Sequence, residues 1–106
     1  MVSFDDFKKL DIRIAEIVEA HAHPNAEKLY VLKINTGDSV KQIVAGIRRT
    51  YDAEALVGKK IVVIDNLEPA SIRGEESNGM LLAASSLEGP VLILPERDVP
   101  TGAKIS

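Results

Sequence analysis

Leu10, Ile12, Ile14, Val18 and Ala20 fall on even positions, with Asp11, Arg13 and Glu19 between them. That period of two predicts one long, half-buried strand. Glu16 interrupts the even face and Ile17 adds an apolar residue to the odd one, so a bulge or bend is expected in mid-strand. The polar stretch 21–28, with Pro24 and Asn25, reads as a turn. Two further strands follow at 29–35 and 40–47, and Thr36-Gly37-Asp38-Ser39 supplies hairpin chemistry between them. Asp52 can cap a short helix over Ala53 to Val57 that Gly58 ends. Ile61-Val62-Val63-Ile64 has the continuous apolar character of a strand buried on both faces. Residues 68–78 read as a polar loop, Met80 to Ala84 as a fifth strand, and Val91 to Leu94 as a further short one.

Three strands, a short helix and two more strands is the element order of the OB-fold. The expected class is therefore all-β: a five-stranded Greek-key barrel with one helix between strands three and four. A length of 106 residues fits a single domain. The chain is 45% hydrophobic and 27% charged, which places it among globular proteins. No apolar run approaches the roughly 20 residues of a membrane helix, and Asp5 and Asp6 stand where a secretory leader carries positive charge. With no cysteine, disulfides, zinc knuckles and thiol catalysis are excluded. A soluble, cytoplasmic domain is expected, with no membrane partner.

Candidate chemistry is sparse. The only histidines, His21 and His23, share one loop. A metal site needs further ligands, so the expectation is two solvated histidines and no metal. Ser77-Asn78-Gly79 lacks the Gly-x-Ser-x-Gly pattern of a nucleophile elbow, and the glycines form no phosphate loop. No catalytic group and no cofactor are expected, and the chain is not read as an enzyme. Nucleic-acid binding remains open, because OB barrels bind through strands two and three and the loops joining strands 1–2 and 4–5. Here those loops are 21–28 and 68–78, and the nearby cations are Lys28, Lys33, Lys41, Arg48, Arg49 and Arg73. The net charge of −3 requires any such binding to work through a local patch. The rings are only Phe4, Phe7, Tyr30 and Tyr51, too few to stack successive bases of a single strand. Folded RNA read by shape and backbone suits the composition better.

Several blocks resemble the tRNA-binding domain family. His23-Pro24-Asn25-Ala26-Glu27-Lys28-Leu29 is similar to its HPNADKL loop, and Asp11-Ile12-Arg13 to its opening strand. Gln42 to Ile47 resembles its QIVSGI strand, with Ala45 in place of Ser. Asn66-Leu67-Glu68-Pro69, Ile72-Arg73-Gly74 and Ser77-Asn78-Gly79-Met80 resemble its NLxPxxLRGxxSxGM segment. The resemblance implies an OB-fold that binds the L-shape of tRNA with little sequence preference, as an auxiliary of methionyl-tRNA synthetase. It also implies a homodimer joined largely through residues 87–106, with Val91, Ile93 and Val99 as contact candidates. Carried over by position, Lys28 and Arg73 would take phosphates, and Asn25 would fix its loop and offer a donor. Ser77 and Met80 would touch the RNA, Gly79 would admit a close backbone approach, and Gln42 is a lesser candidate on the groove strand. The rival is a small secretion chaperone of the CsaA type, an OB-fold dimer that holds peptides. The contents of the two loops favour tRNA.

Overall fold

The computed structural model describes all residues from Met1 to Ser106. The elements in order are α1 (Phe4–Lys8), β1 (Ile12–Ala22), β2 (Tyr30–Asn35), β3 (Val40–Ala45), α2 (Ala53–Leu56), β4 (Lys60–Ile64), β5 (Ala70–Ile72), β6 (Glu75–Ser77), β7 (Met80–Leu81), β8 (Ala83–Ser86) and β9 (Gly89–Leu92). A five-stranded antiparallel sheet in the order β3-β2-β1-β4-β7 curls into an OB-type half-barrel, and β5–β6 and β8–β9 are separate hairpins. Helix α2 lies between β3 and β4, as the sequence predicts, and its fully buried Leu56 joins the main core. Asp52 occupies the cap position, although its side chain makes no capping bond.

The expected bulge falls between Ile17 and Glu19, where the β1–β2 register shifts. It reverses which parity faces the core: Ala15 and Ile17 point into the main cluster before it, and Ala20 packs there after it. The even residues Ile12 and Ile14 serve a second cluster with Val62, on which Val99, Ala103 and Ile105 of the C-terminal tail pack. Val18, expected inside, is exposed. The tail is held as a pseudo-strand, with Gly102 N–H donating to Ile14 O at 2.7 Å and Ile105 N–H to Ile12 O at 2.9 Å. It seats so closely on the β2–β3 turn that a Cβ on Gly37 would lie 2.8 Å from Gly102 Cα. Val99 is thus committed to its own chain, whereas Leu87, Val91, Ile93 and Leu94 remain exposed.

A buried cation organises this same end of the sheet. Arg13 donates to Asp11 at 2.5 and 3.1 Å, to Asp38 at 2.9 Å and to Thr36 O at 3.0 Å. Lys41 donates to Asp65 at 2.7 Å, and Lys104 of the tail donates to Asp11 at 3.3 Å. The hydrogen bonds that Arg13 donates to Asp11 and Asp38 push its guanidinium further toward permanent charge. The hydrogen bond from Arg13, with help from Lys104, holds the Asp11 carboxyl below the ordinary value against the opposing effect of burial.

Three expectations change, and the first is the fifth strand: Met80 to Ala84 is divided between β7, in the main sheet, and β8, in the hairpin with β9. Residues 4–8 form a helix, with Ser3 Oγ accepting from Asp6 N–H at 3.1 Å and Asp5 and Asp6 in the first turn. The predicted loop 68–78 contains the β5–β6 hairpin, whose two-residue turn has Arg73 at φ 54 and Gly74 at φ 92. Both central residues at positive φ make a type I′ turn, the form that matches strand twist.

Candidate functional site

The loop from His23 to Leu29 is closed by its own backbone, His23 N–H donating to Leu29 O and Leu29 N–H to Ala26 O. Pro24 and Asn25 form a turn within it. Arg48, just past β3, is brought beside it: its N–H donates to Lys28 O, and its Nη1 donates to Ala26 O at 3.3 Å. The guanidinium also lies 5.9 Å from the centre of the Tyr30 ring, a cation–π arrangement that fixes its plane. The β5–β6 hairpin supplies the facing wall, where Arg73 at the turn donates to Asn25 O at 3.1 Å.

Between these walls lies an open cleft of about 840 Å³, lined by His23 to Leu29, Arg48 and Arg73. Its cations, Lys28, Arg48 and Arg73, have no carboxylate within ion-pair distance, whereas Lys9, Arg13, Lys41, Lys60, Arg97 and Lys104 all do. Arg48 and Arg73 bond to neutral carbonyls, and Glu27, the one carboxylate on the lining, makes no ion pair with any of the three cations. Phosphate oxygens, which accept from guanidinium forks and ammonium groups, match that donor set.

Of the residues singled out in the sequence, Asn25, Lys28 and Arg73 come together in this cleft. Gln42 lies outside it: its Nε2 donates to Glu76 O at 2.9 Å and ties β3 to the hairpin. Ser77, expected to touch RNA, is buried, its Oγ accepting from Val44 N–H at 2.9 Å and donating to Gly79 O at 3.0 Å. Together with Asn78 N–H donating to Gln42 O at 2.8 Å, this bond ties the outer edge of β3 to the segment that joins β6 and β7. Gly79, at φ 123, is also turned inward, since a Cβ there would lie 3.0 Å from Ile64 O. The close approach that it permits is to β4. Met80 is 45% exposed on β7 and available at the surface.

The histidines differ from expectation. His21 is exposed, but His23 is 3% exposed and is not a solvated residue. Its Nε2 lies 2.9 Å from Ile72 O, and its Nδ1 accepts from Asn25 N–H at 2.9 Å. A carbonyl only accepts, so Nε2 carries the proton and Nδ1 is the bare nitrogen. Both nitrogens are occupied within the protein. Arg48 was visible in the sequence only as one basic residue among several. Its place in the cleft follows from β2 and β3 pairing Tyr30 with Ala45, which sets the chain after β3 beside the chain before β2.

Comparison with known proteins adds to this geometry. Residues 12–104 match the model of the family described as "Putative tRNA binding domain". The chain is 51% identical over 104 residues to a methionine–tRNA ligase of Thermococcus kodakarensis, covering 98% of this chain and 14% of the ligase. It therefore spans about a seventh of the length of that relative. Among solved structures, a MetRS-related protein of Pyrococcus horikoshii superimposes with a TM-score of 0.91 at 32% identity, covering 100% of this chain and 98% of the other. The chaperone CsaA of Picrophilus torridus superimposes with a TM-score of 0.93 at 34% identity, covering the whole of both chains.

Proposed function

The chain belongs to the tRNA-binding domain family, and from that premise we propose that it binds folded tRNA through backbone phosphates, with little preference for sequence. The observation that carries this reading is the cleft in which Lys28, Arg48 and Arg73 converge without carboxylate partners. Phosphate contacts position an RNA without reading its bases, so shape would supply the discrimination. Asn25 adds a side-chain amide to the same wall, and Met80 offers an apolar surface on β7. Ser77, Gly79 and Gln42 act from behind, by fixing the hairpin against β3 and β4.

In the cell this activity would serve a methionyl-tRNA synthetase, as domain or as auxiliary subunit, in the cytoplasm. A homodimer would present two clefts at once. The exposed Leu87, Val91, Ile93 and Leu94 are its candidate contact, and the tail beyond Asp98 would take little direct part because it covers Ile12, Ile14 and Val62 of its own chain. The similarity to the CsaA structure supports a second reading, a peptide-binding dimer. This cleft carries Lys28, Arg48, Arg73 and Glu27 among its nine lining residues, a charged wall that suits a phosphate backbone better than an apolar peptide segment. That difference favours RNA.

The test is binding of mixed tRNA and of an unstructured RNA of equal length, each across a salt series. A clear preference for tRNA with a negative salt slope is expected, and Lys28→Ala should reduce the magnitude of that slope by roughly 0.7–0.9. Equal, weak binding to both RNAs would overturn the proposal in favour of the peptide reading.

A further inference from the structure

The two walls of the cleft share no backbone hydrogen bond; side-chain bonds from His23 to Ile72 O and from Arg73 to Asn25 O join them. The β5–β6 hairpin has three residues per strand and pairs with no other strand, and a hairpin of that size is marginal alone. Its β6 side is tied to β3 through Ser77, Asn78 and Gln42. Its β5 side, which leads into Arg73, reaches the 23–29 loop only through the His23 imidazole. Arg73 is exposed, and swinging its guanidinium onto a phosphate would weaken its own bond to Asn25. The buried His23 bond is the one that can persist while RNA is held.

We propose that His23 is a positioning residue for nucleic-acid binding: its neutral Nε2-protonated ring is the strut that sets Arg73 opposite Lys28 and Arg48. One imidazole does this by working in two directions. Nδ1 accepts from Asn25 N–H and shapes the loop, while Nε2–H reaches across 49 residues of sequence to Ile72 O. The inference rests on the RNA reading of the cleft. It adds that Arg73 acts at full strength only when the strut is present.

Two replacements divide the bonds. Asn places an oxygen near the position of Nδ1 and has nothing at Nε2; Gln places an N–H donor near Nε2. Binding of unfractionated tRNA would be measured across a salt series for the wild type, His23→Asn, His23→Gln, Arg73→Ala and the His23→Asn/Arg73→Ala double variant, each checked for folding by circular dichroism. His23→Asn should weaken binding about tenfold, the order of one charged hydrogen bond, and flatten the salt slope by roughly one phosphate contact, 0.7–0.9. His23→Gln should restore both. In the Arg73→Ala background, His23→Asn should cost less than about twofold, because the contact that it positions is already gone.

Equal losses in His23→Asn and His23→Gln, or a full tenfold loss on top of Arg73→Ala, would overturn the strut. A wild type that does not bind tRNA removes the RNA reading and this inference together, so the two failures are distinct. Should His23→Asn not fold, His23→Gln decides through its slope, unchanged or flattened. Should neither fold, the imidazole ¹⁵N shifts of the wild type decide: an Nδ1-protonated ring overturns the assignment, and the Nε2-protonated form upholds it.

Discussion

Ser77→Ala separates two roles for one hydroxyl. If Ser77 touches RNA, its loss weakens binding and leaves the fold alone. The structure gives the opposite expectation, because Oγ is buried and its partners are Val44 N–H and Gly79 O at 2.9 and 3.0 Å. Alanine removes the acceptor for a buried amide, and water has no ready access there. An orphaned buried donor costs about 1–3 kcal/mol, and the Gly79 carbonyl, with two lone pairs, adds less. About 2 kcal/mol in total should lower the melting temperature by roughly 8–16 °C for a domain of this size. Thermal unfolding followed by circular dichroism measures the first effect, and tRNA binding at 25 °C, where the variant should still be folded, measures the second. Affinity should change less than about twofold and the salt slope not at all, since no phosphate contact is removed. A melting temperature within about 2 °C of wild type, with a tenfold loss of binding, would refute the structural role and put Ser77 at the RNA.

Arg73→Gly should move stability and binding in opposite directions: it relieves a non-glycine residue at φ 54, a strain of about 1 kcal/mol, yet removes a cleft cation. The melting temperature should rise by a few degrees while the salt slope for tRNA flattens; a fall in melting temperature would show that the bond to Asn25 O outweighs the strain. Asp11→Asn tests the buried arginine cluster. Because the folded-state pKa of Asp11 lies below its unfolded value, its stabilisation is present above about pH 4 and is lost as pH falls through the folded value. The variant should therefore melt lower than wild type at pH 7, and the two curves should converge in acid; a gap that persists at pH 2.5 would contradict this. Val91→Asp with Ile93→Asp should halve the sedimenting mass at micromolar concentration if the exposed β9 segment joins two copies, and an unchanged mass would remove that face from the interface.

The period-two pattern placed β1 and its bulge, and apolar runs bounded by turns placed β2, β3 and β4, because those signals are local. What lay beyond reach was decided by partners distant in sequence. His23 reads as a loop histidine until Ile72, 49 residues on, supplies its carbonyl. Ser77 reads as a surface hydroxyl until Val44, 33 residues earlier, donates to it. The β5–β6 hairpin has no alternating apolar face, since only Ile72 among its strand residues is strongly apolar and it is half-buried. Helix α1 did carry a local signal, Ser3 three residues before Asp6 at a cap. None of its residues is fully buried, Phe4 being 72% and Phe7 38% exposed, so hydrophobic periodicity gave it no weight. The motif blocks lie on the segments that form the cleft, but they could not distinguish a residue exposed on its wall, such as Lys28, from one turned toward the core, such as Gly79.

A chain of net charge −3 would repel RNA if its charges were smeared evenly. They are segregated instead. Acids and bases cancel around Arg13, where Asp11, Asp38 and Asp65 face Lys41 and Lys104, while Lys28, Arg48 and Arg73 keep their charge in the cleft. At physiological salt the screening length is about 8 Å, so a phosphate inside the cleft responds mainly to the charges that line it, three cations against the single carboxylate of Glu27, and far less to the distant acidic surface. Binding then depends on few contacts. With three cations per cleft, the slope of log affinity against log salt should be no steeper than about −2 to −3 for one protomer. Association should also lack the strong acceleration at low salt that a broad positive field gives. A slope near −5 for a monomeric species would mean that cations outside the cleft, such as Lys33 or Arg49, also neutralise phosphates, and that the RNA footprint extends well beyond these two walls.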